Sequence, residues 1–165
     1  MGRRIVAVFE LLLMVSLFAL FAALIITTNT NDAIIESTES FVELVRYKGC
    51  ITEDMYNDFL GEFSTPVDIK FVVTRHNEID DIDTLQFTGD VLEAIENPDD
   101  DAANGILAHT YTMNVGDELQ VVVRKMSSNF FDSMVGMLTG QGASSETPAI
   151  AIKGGMILNT QYQDI

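Results

Sequence analysis

Apolar side chains follow three different rhythms along this chain. From Ile5 to Ile26 they are almost continuous, a run of 22 residues in which Glu10 is the single ionisable group. Beyond it, Ile34, Ile35, Thr38, Phe41, Val42 and Val45 recur at helical spacing and form one largely apolar stripe. Further on, Val67, Ile69, Phe71 and Val73 alternate with Asp68, Lys70 and Thr74, the pattern of a half-buried strand. At about 1.5 Å per residue the first run crosses the roughly 30 Å hydrocarbon layer, and so predicts a transmembrane helix.

The helix is expected to continue past the bilayer to about Tyr47. No proline interrupts it, and the basic turn Arg46 to Lys48 followed by Gly49 is a stop signal. Asp32, Glu36, Glu39 and Glu43 share a face away from the apolar stripe, and like charges at this spacing cost a few tenths of a kcal/mol per pair, roughly. The stripe must therefore be buried on something, and the domain behind it is the expected partner.

After Gly49, Thr52 is placed to cap a second helix that carries Glu53 and Asp54 in its first turn and turns Met55, Tyr56, Phe59, Leu60 and Phe63 one way. "STP" ends it at Pro66. "TGDVLEAIENP" reads as a short amphipathic helix built on Val91, Leu92 and Ile95, and "DDDAANG" as a loop. "ILAHTYTMNV" and "ELQVVVRKM" read as a hairpin joined at Gly116 and Asp117. "SSNFFDSMVGMLTG" has helical spacing, and "AIAIKGGMILN" suggests a second hairpin at Gly154 and Gly155. The expected fold class is α+β: a long N-terminal helix, then an antiparallel sheet of about four or five strands with two or three short helices. Three segments follow: residues 1–27 as a basic start and transmembrane helix, 28–48 as an amphipathic stem, and 49–165 as an extracytoplasmic α+β head.

Charge fixes orientation and excludes partners. Arg3 and Arg4 precede the apolar run and an acidic stretch follows it, which places the N-terminus in the cytoplasm and the head outside. A cleaved secretory signal is the competing reading, but signal h-regions usually run about 7–15 residues and end at an A-x-A-like site, whereas this run is longer and gives way to "TTNTND". Setting aside Arg3, Arg4 and Glu10 leaves 7 basic and 24 acidic residues, a net charge of −17. That balance argues against nucleic acid and against anionic head groups; solubility is its plain explanation. Cys50 is the single cysteine, so no intramolecular disulfide forms, and beside Gly49 it reads as a small apolar side chain.

Candidate chemistry is sparse. His76 and His109 are the two histidines, and neither sits in a nucleophile frame such as G-x-S-x-G. His109 falls in one alternating row with Leu107, Tyr111, Met113 and Val115 and is expected to be a sheet residue. The chain is read as no enzyme, without a cofactor. The acids of "NEIDDIDT" and "NPDDDAANG" offer Asp80, Asp81, Asp83, Asp99, Asp100 and Asp101 as candidate Ca²⁺ ligands, set against the reading of a solvated charge run. The EF-hand register fails, since counting from Asp99 puts Ala103 at the fifth position and Asn104 where glycine is required.

Glu10 is the departure from a plain anchor. A carboxylate in mid-bilayer costs about 2.5–3.5 kcal/mol on insertion scales. Two readings follow: Glu10 lies about 9 Å from Arg4 and snorkels to the cytoplasmic face, or it pairs with a positive group on a neighbouring helix. Ser16, Ala19 and Ala23 form a small-residue surface roughly opposite Glu10 that permits close helix packing.

A shallow glutamate near the start of an apolar helix, the amphipathic stem and the small α+β head together resemble the type IV filament superfamily of pilins and pseudopilins. "VFELLLMVSLF" is most similar to the start of TadE-like minor pilins of tight-adherence pili, and "ITEDMYNDFL" and "MNVGDELQVVVRKM" look similar to head segments of pilin-like proteins. The resemblance implies a subunit of a bacterial surface filament or related secretion apparatus, with roles in adhesion, whose partners are copies of itself or other pilin-like subunits. It implies that Glu10 neutralises the N-terminal amine of an adjacent subunit. In that superfamily the glutamate is fifth in the mature chain, which here requires a cut between Ile5 and Val6. Prepilin peptidases favour a glycine before the cut, and Gly2, the one early glycine, would leave Glu10 eighth. The implied location is the cytoplasmic membrane or an extracellular filament. The alternative is a membrane-tethered extracytoplasmic binding module, for a metal or an envelope protein, with Glu10 incidental.

Overall fold

The computed structural model describes residues 2–77, 82–96, 109–126 and 149–159, and it falls into two compact units, residues 1–33 and 34–165. The architecture is α+β. Helix α1 (Gly2–Lys48) contributes to both units and is followed by strand β1 (Cys50–Thr52), helix α2 (Glu53–Gly61), strands β2 (Val67–Asn77) and β3 (Ile82–Phe87), helix α3 (Thr88–Glu96), and strands β4 (Thr110–Thr112), β5 (Glu118–Lys125) and β6 (Ala149–Met156).

In the second unit the expected stripe is buried. Ile34, Thr38, Phe41, Val42 and Val45 are 5 % exposed or less, and Ile35 packs at the margin. Thr38 is tolerated there because its hydroxyl donates to the Ile34 carbonyl at 2.6 Å. Asp32, Glu36, Glu39 and Glu43 are exposed, as the helical projection requires. Repulsion along the stem is relieved at two of them: Lys153 reaches Glu39 at 2.6 Å and Arg46 reaches Glu43 at 3.4 Å. The helix ends where Gly49, at φ 71°, donates its N–H to the Val45 carbonyl at 2.7 Å, a left-handed cap that any side chain would strain.

Thr52 caps α2 as anticipated, its hydroxyl accepting the Met55 N–H at 3.2 Å. Met55 and Phe59 are buried beneath it and Tyr56 and Phe63 pack at the edge, whereas Leu60 points outward at 37 % exposure. Phe59 stacks on Phe41 of the stem with ring centroids 4.2 Å apart, and Phe71 of β2 closes the group 6.1 Å from Phe41. Val91 and Ile95 bury the inner face of α3.

The main sheet is antiparallel with strand order β3-β2-β5-β6; β1 and β4 form a separate two-stranded ladder. Alternation sends Ile69, Phe71 and Val73 of β2 and Leu119, Val121 and Val123 of β5 into the core.

Two expected hairpins are absent. The strands on either side of Gly116 do not pair with each other: β4 pairs with β1, Tyr111 standing opposite Ile51, while β5 runs between β2 and β6. The turn itself is tight, with the Asp117 N–H donating to the Asn114 carbonyl at 3.1 Å and Gly116 at φ 98°. Its chemistry is that of a hairpin turn, but it carries the chain from one sheet to the other. Likewise Gly154 and Gly155 lie inside the single strand β6, opposite Gln120 and Leu119. A Cβ at Gly154 would stand 2.6 Å from the Leu119 carbonyl oxygen, and one at Gly155 would meet the Arg46 side chain at 2.7 Å. These glycines provide close approach, not a turn.

Strand β3 begins in the acidic run "NEIDDIDT", for which no strand is expected, and pairs with β2 from Val72 opposite Phe87 to Asn77 opposite Ile82. The expected helix over "SSNFFDSMVGMLTG" and the loop over "DDDAANG" lie outside the described residues.

Gly154→Ala is expected to destabilise the full chain by about 1–3 kcal/mol, because the Leu119 carbonyl belongs to a central strand and cannot move aside. Gly61→Ala, with open space around it, is expected to change stability by less than about 0.5 kcal/mol. Denaturant unfolding in detergent micelles checks both. Thr52→Ala is expected to cost about 1 kcal/mol by the same measurement, through loss of the α2 cap.

Candidate functional site

The first unit is a helix with no buried side. Across the apolar run the large side chains are exposed all round, Met14 at 71 % and Phe18 at 80 % among them, and an 18-residue window of mean hydropathy 2.6 has none of its residues buried. A helix apolar on every face needs an apolar surrounding, and its length and composition are compatible with a membrane anchor. Within it Glu10 is exposed, on the face that also carries Met14, Leu17 and Phe21. Ser16 and Ala19 are exposed and Ala23 half-exposed on roughly the opposite side, so the helix presents an acidic and a small-residue surface, as the spacing anticipates. Arg3 and Arg4 lie in the first turn of α1, and their side chains are outside the described ones.

Of the six acids proposed for Ca²⁺, one lies among the described residues. Asp83 is exposed on β3, opposite His76; Asp80, Asp81, Asp99, Asp100 and Asp101 lie outside the described residues. Among the described residues no three His, Cys, Asp or Glu side chains are placed to hold a metal.

His109 is not a sheet residue. It precedes β4 in the left-handed region at φ 58°, and its position is fixed by three contacts to two helices: Nδ1 lies 2.8 Å from the Ile95 carbonyl at the end of α3 and 3.3 Å from the Glu53 carboxylate, and its own carbonyl accepts the Glu53 N–H at 3.1 Å. It pins the start of α2 to the end of α3, which accounts for a backbone conformation that histidine rarely adopts.

Sequence reasoning missed a polar cluster between the two sheets. Asp117, 4 % exposed, accepts the Asn114 N–H at 2.8 Å and faces Arg75 Nε at 3.5 Å. Arg75 donates to the Thr112 carbonyl at 2.7 Å and lies over the Tyr111 ring, 5.5 Å from its centre. The Tyr111 hydroxyl donates to Gln86. The guanidinium of β2 therefore meets β4 and the turn before β5, and Tyr111 extends the cluster to Gln86 of β3. The signal was an aspartate directly after a turn glycine, which reads as turn chemistry until the fold brings β2 beside it.

Burial pushes the Tyr111 hydroxyl up, with Asp117 and Asp90 adding to the rise and Arg75 opposing it. Burial likewise raises Tyr56, with Glu96 adding to it, and raises the Cys50 thiol against the pull of Lys48. Cys50 is buried and free, the small core side chain anticipated from the sequence.

A phenol whose folded pKa lies above its unfolded value of about 10 contributes stability that is complete below that value and lost as pH rises through the folded one. Tyr111→Phe is expected to cost about 1 kcal/mol near pH 7 through the lost hydrogen bond, and to flatten the fall in stability above about pH 10. Unfolding midpoints measured from pH 7 into the alkaline range check both signs. Compared with known proteins, the chain matches no family model, no curated protein and no solved structure.

Proposed function

We propose that this protein is a non-enzymatic, single-pass membrane subunit of pilin-like type, which assembles with copies of itself or related chains through its apolar N-terminal helix and displays the α+β head outside the cytoplasmic membrane. The observation that carries this reading is the division of labour along α1: its first half exposes apolar side chains on every face, and its second half buries one stripe in the core of the head. A plain anchor needs the first property alone. The resemblance of "VFELLLMVSLF" to TadE-like minor pilins supports the same reading, as does the basic start at Arg3 and Arg4, which orients the chain with its N-terminus inside.

Within this proposal Glu10 pairs with a cation contributed by an adjacent helix, and Ser16, Ala19 and Ala23 form the surface on which helices approach closely. In the membrane before assembly the carboxylate is tolerated by its nearness to the cytoplasmic face; in the assembly it selects partners.

Glu10→Ala is expected to leave membrane insertion intact or improve it, because removing the carboxylate lowers the insertion cost by about 2.5–3.5 kcal/mol. Incorporation into sheared surface fibres is expected to fall by about tenfold or more, measured by pulldown of a tagged chain. Glu10→Gln separates charge from shape and is expected to behave like Glu10→Ala. Normal incorporation of either variant would remove Glu10 from the assembly mechanism.

A further inference from the structure

The four-stranded sheet has a second face, opposite the core, over which no described element lies. Register and alternation arrange it in rows across the strands. The middle row is Phe87, Val72, Gln120 and Gly154; on one side of it lie Leu85, Thr74, Glu118 and Met156, and on the other Lys70, Val122 and Ile152. Leu85, Phe87, Ile152 and Met156 are each more than half exposed.

Charge distinguishes this face from the rest of the head. The chain carries a net −16, and the stem presents a column of carboxylates, so most of its surface repels another copy of itself. Among the described side chains, Asp68, Lys70, Asp83, Glu118 and Arg124 are the charged ones on the outer face, two cations against three anions. They are also sorted along the strands. Asp68 stands opposite Arg124 at one end, which leaves the exposed Lys70 as the excess charge there; Glu118 and Asp83 lie at the other end.

We infer that this face docks a second copy of the same chain, outer sheet face to outer sheet face, about a two-fold axis that runs across the strands through the Val72–Gln120 row. In that arrangement each row meets the row equally far on the other side of the axis. Glu118 of the second copy falls over Val122, one strand spacing of about 4.8 Å from Lys70, and the symmetric pair forms at the other end. Ile152 meets Met156 of the second copy, and Phe87 and Val72 meet their own equivalents. A two-fold axis along the strands would instead keep Lys70 in the same row as the Lys70 of the second copy, and Glu118 in the same row as its Glu118. The two sheets would stack about 10 Å apart with roughly aligned strands, the ordinary geometry of a sheet sandwich. A two-fold contact closes on itself and yields a pair, so it neither requires nor replaces assembly through the apolar helix.

Gln120 lies next to the axis, so Gln120→Cys brings two thiols together across it, whereas Asp58→Cys on exposed α2 does not. The native Cys50 is buried and contributes little background. With the full chain in detergent micelles at low salt, mild oxidation is expected to link Gln120→Cys at least about tenfold faster than Asp58→Cys. Adding Lys70→Glu to Gln120→Cys is expected to slow linkage about tenfold, and adding Glu118→Lys as well to restore it to within about threefold, with unchanged melting transitions. Equal linkage at positions 120 and 58, or no rescue by the charge exchange, would overturn the proposal, whatever the outcome for Glu10.

Discussion

Everything in the head depends on the contact between the second half of α1 and the inner face of the sheet. The stem offers Ile34, Phe41, Val42 and Val45, the sheet offers Phe71, Val73, Leu119, Val121 and Val123, and all of them belong to one buried cluster. Burying a side chain of this kind is worth about 1.5–3 kcal/mol, so the contact outweighs the few tenths lost to each like-charged pair on the stem's outer side. The polar links at its border serve register more than strength. Arg46 donates to the Met156 carbonyl at 3.0 Å, its own carbonyl accepts the Leu158 N–H at 2.9 Å, and Lys153 meets Glu39. These contacts fix how far along β6 the helix sits, and the absence of a side chain at Gly155 admits the arginine.

Because the stem closes the core, the smaller pieces are placed relative to it. Helix α2 follows Gly49 after three residues of strand and turns Phe59 onto Phe41. The β1-β4 ladder is tied back by the Met113 N–H donating to the Gly49 carbonyl at 2.8 Å. The Arg75 cluster then joins that ladder to the main sheet. Asp117 is buried and the Arg75 side chain is 34 % exposed, so loss of the arginine would leave a buried carboxylate without the cation that faces it.

What was legible in the sequence was whatever is decided within a few residues. The stem stripe, the Thr52 cap, the alternation of β2 and the fold class all follow from local periodicity and capping chemistry. What was not legible is pairing. "MNVGDEL" has the residues of a hairpin turn and makes a tight turn, but which strand lies beside Thr110 is decided by Cys50 to Thr52, about sixty residues earlier. Gly154 and Gly155 carry the same letters as a turn and serve a carbonyl and a guanidinium that only the fold brings near. Strand β3 was hidden because an edge strand has one neighbour and tolerates Asp83 and Thr84 in the open, so its composition resembles a loop. His109 was assigned to a row because alternation was counted through it, although its φ of 58° breaks the strand at that residue.

The candidate site divides along the same line. Glu10, Ser16, Ala19 and Ala23 belong to a helix, where three-dimensional neighbours are set by spacing alone, and their placement agrees with the projection. The metal-ligand candidates follow from composition, which sets no geometry, and Asp83, the one of them among the described residues, stands in a strand. The polar residues between the two halves of α1 obey the helical rule as well. Thr28 and Thr30 donate their hydroxyls to the Leu24 and Ile26 carbonyls at 3.0 and 2.8 Å, so that these polar side chains are satisfied within the helix itself. A helix closes each backbone hydrogen bond within four residues, which is why spacing alone places the side chains of α1, whereas the pairing of strands needs the rest of the fold.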